Sequence, residues 1–99
     1  MSYLQEAFLP HLRLSLLKLL ASAPGYCANG SILQQSVGQL GLQASRDQVN
    51  TQISWLGEQQ LVTVLEPAPG LFVATLTGRG SDVQAGLSTV PGVQKPSPR

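Results

Sequence analysis

Apolar residues recur at helical spacing in the first quarter of the chain. Leu12, Leu16, Leu19 and Leu20 form one stripe, and Leu14, Leu17 and Ala21 form a second on the far side. Pro10 suits the first position of a helix because its missing amide proton is not needed there. The pattern therefore predicts a helix over 10–22, ended by Pro24-Gly25, with residues 2–9 as a short leading helix. Residues 26–30 read as a turn. A second helix over 31–40, capped by Asn29 or Ser31, would turn Ile32, Leu33, Val37 and Leu40 inward. Ser45 and Gln48 have the spacing of a reciprocal cap and open a third helix. Its inner face would hold Val49, Ile53, Leu56 and Gln60, with Trp55 at the edge. Residues 61–65, rich in Val, Leu and Thr, read as a strand, and with the turn Pro67-Ala68-Pro69-Gly70 and a returning strand over 71–76 they predict a hairpin. Thr77 can cap a short last helix over 78–85, which Gly86 ends.

That order is mainly α with a small β-hairpin, the order of a winged helix-turn-helix. Three helices would share a core, and the hairpin would close its open edge as a wing. In DNA readers of this build the third helix enters the major groove. Residues 1–87 are expected to form the domain. Residues 88–99, rich in proline and free of acids, are expected to form a flexible basic tail.

Charge qualifies the picture. Five acidic and six basic residues give +1, and only 11% of residues are charged, about half the usual fraction. A basic nucleic-acid coater is excluded, as is an acidic disordered tail. One Cys and one His exclude a disulfide framework and cannot fill a zinc site within one chain, so neither metal nor cofactor is expected. No phosphate-cradling loop or nucleophile–base pair is present, so enzymatic activity is not expected. The run LSLLKLLASA over 14–23 has the outline of a signal-peptide core. Lys18 interrupts it, Glu6 stands where a cation should be, and cleavage would remove the best helix. With no stretch of about 18 apolar residues, the reading is soluble and cytoplasmic, away from membranes.

The segments RLSLLKLLASAPGYCANGSIL, SRDQV, WL-x-EQ-x-LVT and LT-x-RG-x-DV-x-x-G run through nearly the whole chain. They resemble a family of small winged-helix proteins of Mu-like bacteriophages and prophages, often labelled arsenic-repressor-type regulators. The resemblance implies a DNA-binding fold in a bacterial host. The arsenic-sensing chemistry of that label uses paired ligands, whereas Cys27 and His11 stand alone here.

Candidate DNA contacts lie on the third helix: Ser45, Arg46, Gln48, Asn50, Thr51 and Gln52. Arg and Gln match guanine and adenine edges, with Arg46 and Gln48 leading, and Ser and Thr suit phosphates. Arg79, Lys95 and Arg99 are candidate phosphate contacts. Asp47 speaks for a solvated polar face, although a first-turn acid also complements the helix dipole. The wing tip has no cation. The second stripe (Leu14, Leu17, Ala21), with Tyr3, Leu4, Phe8 and Leu9, is the candidate homodimer interface; otherwise residues 2–9 fold back over it. The expected partner is double-stranded DNA. The competing readings are a module that binds a host or phage protein, and a virion or assembly protein.

Overall fold

The computed structural model describes residues 3–97, and the side chains of Tyr3 and Leu4 fall outside that description. Helix α1 spans Tyr3–Ser22 without a break and contains Pro10. The two expected pieces are thus one helix. Proline inside a helix removes the bond to the carbonyl four residues back. That carbonyl belongs to Glu6, an exposed residue, so solvent can serve it. A short 3-10 turn at Pro24–Tyr26 follows, with Gly25 and Tyr26 both at positive φ.

Cys27–Asn29, expected as a turn, is a short strand, β1. Helix α2 covers Gly30–Gln39, and the Asn29 side chain caps it by accepting from the Ile32 amide at 2.9 Å. Helix α3 covers Arg46–Glu58. Strands β2 (Val62–Ala68) and β3 (Leu71–Leu76) form the hairpin, and α4 (Gly78–Gln84) follows. The sheet is antiparallel in the order β1-β3-β2, so β3 lies between the wing strand and β1. Cys27 stands opposite Thr75 and Val62 opposite Leu76. The β2–β3 register shifts between Leu65 and Ala68, where Pro67 cannot donate to a ladder.

One core joins these elements. Leu12, Leu16, Leu17 and Leu20 of α1 pack with Leu33, Val37, Val49, Ile53, Leu56, Leu61, Val62 and Ala74. Ile32 and Leu40, expected inward, are exposed. Starting α2 at Gly30 leaves only Leu33 and Val37 of its large apolar residues facing the core. Gln60, expected on the inner face of α3, lies past the helix end at positive φ and is exposed.

Both stripes of α1 are used internally: Leu17 is 0% exposed and Leu14 is 7% exposed. Neither can form an interface between copies without unfolding the domain. The chain also continues to pack against α1 after α4. Val90 and Val93 are buried with the core, so the expected loose tail is seated at least to Gln94, whose amide donates to the Pro10 carbonyl at 3.1 Å.

Candidate nucleic-acid interface

Helix α3 owes its start to Ser45. The Ser45 hydroxyl accepts from the Gln48 amide at 3.0 Å, and the Ser45 amide donates to Gln48 Oε1 at 2.9 Å. The reciprocal pair satisfies two end groups and is worth about 1 kcal/mol. It also occupies the Gln48 side-chain carbonyl and leaves the Gln48 side-chain NH2 as its outward-reading group. Ser45, Arg46, Asp47, Gln48 and Thr51 are all exposed around this start.

Arg46 reaches back to α2. Its Nη2 donates to Ser31 Oγ at 3.1 Å, and its Nε makes a longer bond of 3.4 Å to Gln34 Oε1. Gln34 in turn donates from Nε2 to the Ala44 carbonyl at 3.2 Å, tying α2 to the turn before α3. Both acceptors of Arg46 are neutral, so its charge is uncompensated by these bonds. Guanidinium has five N–H donors, and the others stay available to a phosphate or a base edge. Gln34 was not singled out from sequence, and Ser31 only as a candidate helix cap; their pairing with Arg46 spans the turn and leaves no periodic mark.

Two of the expected contacts lie elsewhere. Gln52 is only 6% exposed and accepts from Arg13 Nε at 2.8 Å, so it cannot reach DNA. Its polar side chain faces inward because Arg13 satisfies it there. Asn50 is turned toward Gly30 of α2: its Oδ1 is buried without a hydrogen-bond partner, and a Cβ on Gly30 would collide with it.

Arg79 is exposed, and its Nε donates to the Gln59 carbonyl at 3.0 Å. Thr77 Oγ1 donates to the neighbouring Gln60 and Leu61 carbonyls while accepting from the Gly80 amide. The start of α4 thus holds the end of α3. Gly80 fits against the Leu61 carbonyl, where a side chain would collide. Lys95 is exposed, and Arg99 lies outside the described residues.

The wing tip carries no cation. Leu65 is 69% exposed, and Glu66, the tip's acid, accepts from the Gly70 amide at 2.8 Å. The open groove between α3 and the wing is lined by Ser54, Glu58, Thr63 and Val64 among others. Among the described residues, no cluster of three His, Cys, Asp or Glu could hold a metal ion, and no helix is long and apolar enough to cross a membrane.

These elements define a winged helix-turn-helix protein: α2 and α3 across a short turn, then a hairpin wing on a mainly helical core. The fold matches RosR of H. salinarum at a TM-score of 0.64 and 16% identity, over 75% of this chain and 66% of that one. The same protein in the complex hsRosR-S4 matches at 0.62, covering 62% of its chain. The chain is also 54% identical over 72 residues to the uncharacterised protein gp26 of Escherichia phage Mu, spanning 73% of this chain and 74% of that protein. It belongs to the family of that Mu protein. An uncharacterised protein of Haemophilus influenzae is 43% identical over 67 residues, spanning 68% of this chain and 65% of that protein. No protein-family profile matches the chain.

Proposed function

We propose that the protein is a phage-type DNA-binding regulator that presents the start of α3 to the major groove of a bacterial or phage duplex. The carrying observation is the exposed Arg46 guanidinium, held at the α2–α3 corner by neutral acceptors alone. A cation fixed at the N-terminal end of the second helix of this motif stands where base edges are read. Ser45, Thr51, Arg79 and Lys95 serve phosphates in this reading, and Gln48 offers its NH2. The protein works in the host cytoplasm and performs no catalysis. The arsenic-repressor label extends to the fold alone, since Cys27 and His11 lack partner ligands.

A homodimer belongs to the reading because two-fold operators call for one. Its interface uses the leading part of α1, where Leu9 is 37% exposed. Leu9→Glu should sediment as a smaller species than wild type at equal concentration. An unchanged species means that the interface lies elsewhere.

A protein-binding module is the second reading. It is favoured by Asp47 and Glu58, exposed acids on the outer side of α3, and by a wing that carries Glu66 and no cation. Binding to random duplex DNA separates the two. The DNA reading expects measurable, salt-sensitive binding at about 50 mM salt, and none at that salt favours the protein partner.

A further inference from the structure

Outside the candidate interface, the most heavily built polar cluster lies where the end of the chain crosses α1 and α3. Arg13 sits at its centre. Its guanidinium carbon lies 3.9 Å from the centroid of the Trp55 ring. Its Nε donates to Gln52 Oε1 at 2.8 Å, and its Nη1 donates to the Gly92 carbonyl at 2.9 Å. One side chain of α1 thus grips two residues of α3 and the terminal segment together. Burial lowers the Arg13 pKa from its ordinary value, as expected for a cation held among uncharged groups.

The terminal segment is fitted to this place. Val90 and Val93 are 4% and 9% exposed on either side of Gly92. Gly92 has φ +98°, and a Cβ there would stand 3.0 Å from Trp55 Cη2 and Cζ2 and 3.1 Å from Arg13 Nη1. Only a residue without a side chain lies flat against the ring with that backbone. The Gln94 amide closes the far end on Pro10.

We propose that residues 90–94 are an intramolecular clasp, and that Arg13 is the positioning residue through which its seating fixes α3. Gln52 and Trp55 belong to the helix whose first turn carries Arg46, so loosening their grip frees that turn to shift. A cation bridging packed elements can carry such coupling when its partners lie on both. The effect on DNA affinity rests on the reading of α3 as the recognition helix. The clasp itself does not.

Gly92→Val in the full chain tests this. Trp55 is the only tryptophan, so its emission reports the clasp directly. The expected result is a red-shifted emission, faster hydrogen exchange of α3 amides, and duplex affinity about threefold to tenfold weaker. Gln52→Leu should weaken binding similarly, while Gln52→Glu keeps an acceptor for Arg13 and should retain wild-type affinity. Unchanged Trp55 emission would overturn the clasp. Shifted emission with unchanged α3 exchange would overturn the positioning role. A wild type that binds no duplex removes the DNA reading, and emission and α3 exchange then decide the clasp alone. Should Gly92→Val lose its helical circular dichroism, Gly92→Ala puts a single methyl at the same spot.

Discussion

The start of α3 and the tip of the wing are the two exposed polar-to-solvent ends of this domain, and they are built by opposite means. The α3 start is densely bonded: a reciprocal cap at Ser45 and Gln48, and Arg46 held to Ser31 and Gln34. The wing tip has a single side-chain bond, from Gly70 to Glu66, and offers Leu65, Pro67 and Pro69 to water. A protein at +1 has few cations to distribute, and this one fixes Arg46 at the helix and none at the wing. Under the proposed DNA-binding function, affinity is concentrated in one corner, with the wing contributing shape more than charge.

The largest expected effect tests that concentration. Arg46→Ala should weaken specific duplex binding by roughly 1–3 kcal/mol, about fivefold to 150-fold, with helical circular dichroism unchanged. Equal affinity for wild type and variant would remove α3 as the reader. Ser45→Ala should cost about 1 kcal/mol of stability in urea denaturation, because it strands the Gln48 amide and breaks the reciprocal cap. Pro69→Lys should import what the wing lacks. Its salt slope should steepen by about one unit; an unchanged slope would mean that the tip never approaches phosphates. Leu65→Ser should be the mildest, within about 0.5 kcal/mol in both stability and binding. A much larger loss of affinity would turn the comparison around and make the tip an apolar contact.

Sequence exposes local devices and hides distant ones. The Ser45–Gln48 cap, the Thr77 cap and the hairpin turn were legible because their partners lie within a few residues. Pro10 misled because a proline that opens a helix and one that sits inside it look alike in sequence, so two helical stretches were read as separate pieces. Strand β1 is three residues long and exists by pairing with β3, far along the chain. Gln52 sorted with the polar face by its type, yet its acceptor role depends on Arg13, 39 residues away. The two valines of the terminal segment show no period among prolines and glycines, so only the packed core reveals that they are buried. Of the candidate site, Ser45, Arg46, Gln48 and Thr51 lie together as expected at the exposed start of α3. Asn50 and Gln52 do not join them, because helical neighbours in sequence point to different sides.

In the proposed function the few uncompensated cations, led by Arg46, engage duplex DNA. A salt titration of binding, run on wild type and Arg46→Ala side by side, tests it most directly. Wild type should bind at about 50 mM salt with a shallow logarithmic slope, no steeper than about −4, and Arg46→Ala should have a slope about one unit shallower. Absence of binding by wild type at that salt, or superimposable curves for the two proteins, would contradict it.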